Sequence, residues 1–251
     1  MTYNKNIVDD SIIYGRQPVY EILKNRPKDI VKLYITEGIQ GGIIDDIIAL
    51  AQKNRVTIIR INGRELERIT SGSNHQGVLA EGLIYKPGDW TDVLNSIVND
   101  SIIVALAEVE DPRNVGAIIR TAAGFGVKSV VMTKHRSAGL SPAAAKTSAG
   151  GIEYVDTVIA NSLPQRMDEL KKSNVWVYGA DSEGEDIQKV KFTYPCCLVL
   201  GGENTGLPRL VNEKCDFKVS IPIKNIQSYN VSVAAGIILY EMYKQKPVGK
   251  K

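Results

Sequence analysis

Apolar residues recur along this chain with two different periods, and their order predicts an α/β protein. Apolar residues spaced three or four apart predict helices, whereas short and nearly continuous apolar runs predict strands. In the first third of the chain, the runs predict strands at 31–36, 56–61 and 77–85. Helical spacing alternates with them at 17–25, 43–54 and 64–70. We therefore predict a small N-terminal α/β domain over residues 1–85.

Both periods stop at 86–96, which begins Lys86-Pro87-Gly88-Asp89-Trp90. Proline and glycine in this combination interrupt regular structure. We interpret 86–96 as a linker and 97–251 as a second domain.

Five apolar runs follow the linker, at 102–109, 129–132, 175–179, 196–200 and 217–221. Helical patterns separate most of them, at 114–124, 142–150 and 163–172. Strands that are apolar on both faces and separated by helices predict a mostly parallel sheet covered by helices. Ligands bind such sheets at the carboxyl ends of the strands.

A last helix, beginning at Val231, is apolar nearly all round. One stripe comprises Val231, Ala234, Ala235, Ile238 and Met242, and the other side comprises Val233, Ile237 and Tyr240. Such a helix must be covered on both sides. The sheet covers one side, and we expect a second subunit to cover the other.

Composition adds few constraints to this picture. The 251 residues are 43% hydrophobic and 24% charged, as in ordinary globular proteins, and the net charge of +3 permits nucleic-acid binding without indicating it. We see neither a secretory leader nor an apolar span of the roughly 20 residues that a membrane helix needs, and expect a cytoplasmic protein. The three cysteines form no Cys-x-x-Cys pair, which favours buried, reduced thiols over a zinc or disulfide site.

The loop after the first run of the second domain continues into a helix. Asn114 is a suitable N-cap, and the stripe Val115, Ile118, Ile119 and Ala122 faces the core. Arg113 and Arg120 lie on the opposite face. Two arginines alone are also typical of a helix face that is exposed to solvent. Small residues on or beside that face allow another backbone to approach closely: Gly116, Ala117 and Gly124.

Two later loops also follow apolar runs. Gly201-Gly202-Glu203 lacks the lysine of a phosphate-binding loop and the spacing of a dinucleotide fingerprint. Glycines allow a ligand close to the backbone, and the carboxylate repels phosphate, although a plain turn also explains this corner. In the last loop, Pro222 ends the fifth strand, and Ser228 or Asn230 caps the final helix.

Together these loops resemble the three motifs of the SpoU (TrmH-like) ribose methyltransferases. The motifs are Asn114-x5-Arg120, then Gly201-Gly-Glu-Asn-x-Gly206, then Ile221-Pro-Ile followed by Ser228-Tyr-Asn-Val-Ser232. The N-terminal domain resembles a substrate-binding domain of that family through Tyr14-Gly-Arg16 and Asn74-His-Gln-Gly-Val78. The resemblance implies a trefoil-knot domain that binds S-adenosylmethionine, and a homodimer. It also implies methylation of the ribose 2′-hydroxyl of a guanosine in large-subunit (23S) ribosomal RNA.

The resemblance also implies roles for individual residues, with no metal. The cofactor-binding residues would be Thr133, Gly201, Gly202, Ile221, Ile223 and Tyr229. The catalytic residues would be Asn114, Arg120, Glu203, Ser228 and Asn230, and the RNA-binding residues Arg16, His75, Arg113 and Arg136. The family account makes Arg120 a base or activator acting across the dimer. A guanidinium is a poor base at neutral pH, so we favour Arg120 as a donor that orients phosphate and stabilises the alkoxide.

Three alternatives stay open at this point. The target could be another ribosomal nucleotide or a transfer RNA, or the chain could be a non-catalytic RNA-binding homologue. A small-molecule nucleotide enzyme of the Rossmann type is the third alternative, and it lacks its glycine fingerprint.

Overall fold

The N-terminal part of the chain folds around a four-stranded sheet. The computed structural model describes residues 11–82, 87–203 and 205–247. The N-terminal elements are β1 (Ile12–Tyr14), α1 (Arg16–Asn25), β2 (Ile30–Thr36), α2 (Ile43–Lys53), β3 (Thr57–Ile61), α3 (Gly63–Ile69) and β4 (Val78–Gly82). The sheet order is β1-β4-β2-β3, with β2 and β3 parallel and the other neighbours antiparallel.

The predicted strands and helices of this part are confirmed, with one addition. Strand β1 escaped prediction because three residues are too few to show an alternation. Residues 83–85 of the predicted strand at 77–85, and Lys86 at the start of the predicted linker, lie outside the described residues.

The second half of the predicted linker is a helix, α4 (Trp90–Asn95). Asp89 caps it, because its carboxylate accepts a hydrogen bond from the Thr91 amide at 2.7 Å. Trp90 and Val93 are buried in the core of the C-terminal part. Burial of these two side chains gives this half of the predicted linker a fixed place in that core.

The C-terminal part folds around a six-stranded sheet. Its remaining elements are β5 (Ile102–Ala107), α5 (Pro112–Gly124), β6 (Ser129–Thr133), α6 (Pro142–Thr147), β7 (Asp156–Ala160), α7 (Leu163–Lys172), β8 (Trp176–Asp186), β9 (Cys196–Gly201), α8 (Arg209–Glu213), β10 (Phe217–Ser220) and α9 (Val231–Gln245). The order is β10-β8-β9-β5-β6-β7, and every neighbouring pair is parallel. The predicted α/β class with a parallel sheet is confirmed, and β7 is a strand that the sequence did not reveal.

Helices cover both faces of this sheet. Successive residues of β5 alternate between two cores: Val104 packs with α5 and α9, and Ala105 packs with α4 and α7. Both cores are apolar, which explains why the central strands are apolar without interruption. The predicted stripe of α5 is completely buried against the sheet.

The N-terminal part packs on α6 and on the turn that follows it. The Arg26 Nε donates to Glu153 Oε2 at 2.7 Å, and the Tyr154 hydroxyl donates to Glu21 Oε2 at 2.6 Å. Lys146 of α6 donates to the carbonyl of Asn74. The Glu153 side chain is only 1% exposed, so the carboxylate of this ion pair with Arg26 is buried. The N-terminal part is thus joined to α6 and the turn by these polar contacts and by Ala145 and Ile152, which pack with its core.

The three cysteines lie in or beside the core of the C-terminal part. Cys196 and Cys197 are buried, Cys215 is partly buried, and all three are free thiols. Burial raises the pKa of Cys196 to about 12 and that of Cys215 to about 11. Within the described ranges, no helix is long and apolar enough to cross a membrane, and no group of His, Cys, Asp or Glu residues is arranged to hold a metal ion.

Candidate active site

A cleft of about 510 Å³ opens at the carboxyl ends of β8, β9 and β10. It is lined mainly by residues 180–183, 200–203, 205–207, 219–221 and 227–229. One wall arises from a break in β8: Gly179 pairs with Lys218, whereas Glu185 pairs with Val219, the next residue. Residues 180–184 therefore leave the ladder, and 180–183 form a wall of the cleft.

The two glycines of the corner line the cleft, and the chain's own backbone packs closely against both of them. A Cβ on Gly201 would lie 2.2 Å from the backbone of Gly206, and one on Gly202 would lie 2.6 Å from the carbonyl oxygen of Glu108. The space that a side chain would fill is occupied by the chain's own backbone. Gly201 therefore lets the loop after β9 fold back, and Gly202 lets the residue after β5 approach closely. The contact of these glycines with a ligand stays a prediction.

Beside the cleft, three side chains from distant segments form one hydrogen-bonded cluster. The Asn114 amide donates to Glu203 Oε1, and Asn230 Nδ2 donates to Asn114 Oδ1 at 3.1 Å and to Glu203 Oε1 at 3.3 Å. Asn230 also caps α9, as predicted, by accepting from the amide of Ser232 at 3.0 Å. We call these three residues, Asn114, Glu203 and Asn230, the polar cluster.

The predicted capping role of Asn114 is wrong. Helix α5 begins two residues earlier, and Asp111 caps it by accepting from the Arg113 amide at 2.8 Å. Asn114 consequently lies within the first turn, is only 7% exposed, and directs its amide to Glu203. A buried amide needs partners, and the polar cluster supplies them.

Most of the other predicted cofactor residues line the cleft. Ile221, Ile223 and Tyr229 belong to its wall, as does Ser228, which the resemblance makes catalytic. Thr133 does not: its hydroxyl accepts from the Glu108 amide at 3.3 Å, and it faces a separate hollow next to Pro87. Asn204 of the corner lies outside the described residues.

The two arginines of α5 lie on the surface, outside the cleft of their own chain. Both are exposed, and neither lines the cleft. Arg120 lies six residues beyond Asn114, about 9 Å along the helix axis. The expected close backbone approach holds at Gly116, where a Cβ would lie 2.3 Å from the Ala144 carbonyl, but not at Gly124, which has no atom within 4 Å.

The predicted RNA-binding residues occur in two places. Arg136 forms an ion pair with Glu108 at 3.5 Å, in a hollow beside Glu203. Arg16 and His75 lie at the junction of the two sheets: Arg16 Nε donates to the carbonyl of Gln76 at 3.2 Å, and His75 Nδ1 accepts from the Gly77 amide at 3.0 Å. Burial lowers the pKa of His75. Their contact with RNA stays a prediction.

The sequence predicted only one of the charged residues in the cleft, Glu203. Among the described residues that line it, the charged side chains are Asp181, Glu183 and Glu203, and no lysine or arginine is present. Such a surface repels phosphate and attracts cations and hydrogen-bond donors. Asp181 and Glu183 were missed because only the break in β8 brings them into the cleft. The arrangement suits a cationic ligand that lacks phosphate.

Comparison with protein families gives two matches. The model described as "SpoU rRNA Methylase family" matches residues 101–240. The model described as "RNA 2'-O ribose methyltransferase substrate binding" matches residues 12–86. The two matches fall on the two sheets, with the cleft and the polar cluster inside the first.

Known proteins similar to this chain cover nearly its whole length. A Bacillus subtilis protein named "Putative TrmH family tRNA/rRNA methyltransferase" is 35% identical over 95% of this chain and 97% of its own. A 23S rRNA (guanosine-2'-O-)-methyltransferase of Coxiella burnetii is 34% identical over 93% and 95%, respectively. The crystal structure of a SpoU methyltransferase from Streptomyces viridochromogenes with AdoMet has a TM-score of 0.80 at 23% identity, covering 93% of this chain and 89% of that one. At that identity the last similarity concerns the fold alone.

Proposed function

The chain belongs to the SpoU rRNA methylase family, and we propose that it transfers a methyl group from S-adenosylmethionine to the ribose 2′-hydroxyl of a guanosine in large-subunit (23S) ribosomal RNA. The observation that carries this proposal is the acidic cleft with the polar cluster at its edge. Full-length relatives named as 23S rRNA guanosine methyltransferases support the choice of substrate.

The residues of the cleft fit S-adenosylmethionine better than they fit a phosphorylated cofactor. The lining carboxylates favour the sulfonium and ammonium charges, and no lysine or arginine of the described lining is available for phosphate. Gly201, Gly202, Ile221, Ile223 and Tyr229 would hold the cofactor, whose sulfonium supplies an activated methyl group when bound. Thr133 lies in a separate hollow and takes no part in this assignment.

The polar cluster holds the reacting groups in place. Asn114 and Asn230 both donate to Glu203 Oε1, which fixes the carboxylate at the edge of the cleft. Ser228 lies in the same wall, within the loop that leads to Asn230. Such fixed dipoles orient a hydroxyl at no cost of reorganisation when it reacts. Proton loss from the hydroxyl would go to a phosphate oxygen or to water.

Arg120 would act in the partner subunit of a homodimer. Its distance along α5 from the polar cluster and its absence from the described lining of the cleft favour a role in another subunit's site. There its guanidinium would orient the nucleotide phosphate and stabilise the developing alkoxide. Helix α9 offers the dimer surface, because Val233, Tyr240 and Tyr243 are 49–56% exposed.

The N-terminal part would recruit the RNA. We propose that residues 1–85 form the RNA-binding domain, through Arg16 and His75, and that Arg113 and Arg136 contact RNA near the cleft. The catalytic domain would then comprise 97–251 together with helix α4, so that the linker of 86–96 shortens to its first residues. A protein of this kind would act in the cytoplasm.

The proposal is tested by methyl transfer with the purified protein. Labelled S-adenosylmethionine is supplied with 23S ribosomal RNA, and nuclease digests are analysed by mass spectrometry for 2′-O-methylguanosine. A methylated base, another methylated nucleoside, or a methylated transfer RNA in a parallel reaction would overturn the substrate assignment. Cofactor binding without any transfer would indicate a non-catalytic RNA-binding homologue.

A further inference from the structure

The wall formed by residues 180–183 carries Asp181, a carboxylate whose own contact with a ligand has not been assigned so far. Asp181 Oδ1 accepts from the Glu183 amide at 3.0 Å, and Asn212 Nδ2 donates to Asp181 Oδ2 at 3.4 Å. These two bonds fix the carboxylate in the lining of the cleft. They use only part of its capacity, because an ionised carboxylate accepts about four hydrogen bonds.

Asn212, on α8, is the side chain that holds Asp181 in place. Its Oδ1 is buried and has no hydrogen-bond partner among the described residues. The orientation of the amide is determined by Asp181, because a carboxylate only accepts and therefore requires Nδ2. The amide oxygen is left as an unfilled acceptor beside a carboxylate with spare lone pairs. Unfilled buried acceptors are unusual in native proteins and need an explanation.

We propose that Asp181, positioned by Asn212, accepts hydrogen bonds from the ribose hydroxyls of the methyl donor. This inference rests on the proposed function, since it takes S-adenosylmethionine as the ligand of the cleft. The two carboxylate oxygens of Asp181 are neighbouring acceptors that match two neighbouring donors, and a vicinal diol is such a pair. An acidic residue binds ribose hydroxyls by the same chemistry in dinucleotide-binding folds. The cleft would therefore select nucleosides with an intact ribose.

A purely structural role for Asp181 is separable from this one. Asp186, at the end of the same strand, accepts from the Gln188 amide at 3.0 Å through its Oδ1, as Asp181 does from Glu183. Asp186 does not line the cleft. Asp186→Asn is consequently the matched control for Asp181→Asn, because both remove one charge from a turn-forming aspartate.

The test measures affinities of the full chain by calorimetry. S-adenosylmethionine is titrated first, followed by S-adenosylhomocysteine and its 2′-deoxy, 3′-deoxy and N6-methyl counterparts. We expect the wild-type chain to bind the deoxy compounds about 10- to 100-fold more weakly than the parent, as for loss of a hydrogen bond to a charged group. Asp181→Asn should abolish most of that preference, Asn212→Ala should reduce it, and Asp186→Asn should preserve it.

The outcomes distinguish this inference from the function on which it rests. If the wild-type chain does not bind S-adenosylmethionine, the proposed function fails. If it binds S-adenosylmethionine but shows no preference for the intact ribose, only the role of Asp181 fails. That role also fails if Asp181→Asn weakens all compounds equally, or if it removes a preference for the unmodified adenine amino group instead.

Discussion

The contact between α5 and α6 at Gly116 gives a prediction that can be worked out from distances. A Cβ on Gly116 would lie 2.3 Å from the Ala144 carbonyl oxygen and 2.6 Å from Thr147 Cβ, and ordinary contact begins at 3.4 Å. Gly116→Ala therefore requires α5 and α6 to separate by about 1 Å. Overpacking of this kind costs about 1–3 kcal/mol, and the better helix propensity of alanine offsets up to about 1 kcal/mol. We expect a net loss of about 1–2 kcal/mol in the free energy of unfolding.

Gly124→Ala is the matched control on the same helix. No atom lies within 4 Å of its added Cβ, so the substitution should be neutral or stabilising by up to about 1 kcal/mol. Urea unfolding followed by tryptophan fluorescence measures both, because the two tryptophans, Trp90 and Trp176, belong to the C-terminal part. Equal stabilities of the two variants would refute the reasoning.

The displacement of α5 should also affect activity. Asn114 lies less than one turn before Gly116 and holds Glu203 in the polar cluster. A misplacement of about 1 Å in a reacting site can lower a rate by about 100-fold. We expect Gly116→Ala to lower methyl transfer well beyond its effect on the folded fraction, whereas Gly124→Ala should leave it unchanged. A normal rate in a Gly116→Ala chain that is destabilised as expected would contradict this link.

Three further predictions concern the dimer, the N-terminal part and pH. Arg120→Ala should change stability by less than about 0.5 kcal/mol and lower methyl transfer by about 100-fold or more, and mixing it with Gly202→Trp subunits should restore part of the activity. No recovery despite subunit exchange would place Arg120 in its own subunit's site. A chain that begins at Pro87 should bind S-adenosylmethionine but lose most methylation of RNA, and full activity would show that the N-terminal part is dispensable. Burial lowers the pKa of His75 in the folded state, so the free energy of unfolding should fall as pH drops below the pKa of His75 in the unfolded chain, about 6.5. His75→Gln should remove this pH dependence, and parallel stability–pH curves for the two chains would disprove it.

Periodicity predicted most of the elements because the central strands are buried on both faces and the main helices have one apolar stripe. It failed where the signal was short or came from distant residues. Strand β7, with the sequence Asp-Thr-Val-Ile-Ala, begins with polar residues and has only five positions. Helix α4 was hidden by the preceding proline and glycine, although Asp89 is a recognisable cap.

The residues of the candidate site were likewise predicted only in part. The resemblance identified all three members of the polar cluster, and the structure shows that they touch. The capping role of Asn114 was wrong because the nearby Asp111 competes for the same helix end, and local sequence does not decide between them. Asp181 and Asn212 were not predicted because their contact depends on the interruption of β8, which no local pattern encodes. The knot that the resemblance implies is likewise a property of chain threading, which periodicity does not contain.

The buried thiols have a practical consequence for measuring motion in this protein. Maleimides and similar reagents attack thiolates, and burial raises the pKa values of Cys196, Cys197 and Cys215 well above their ordinary value. The native chain should therefore react slowly, and a cysteine introduced on the surface should be labelled selectively without removal of the others. Val31, in β2 of the N-terminal part, is 59% exposed, and Leu210, in α8 of the C-terminal part, is 64% exposed. A fluorophore pair at these two positions would report how the N-terminal part moves relative to the cleft when RNA binds.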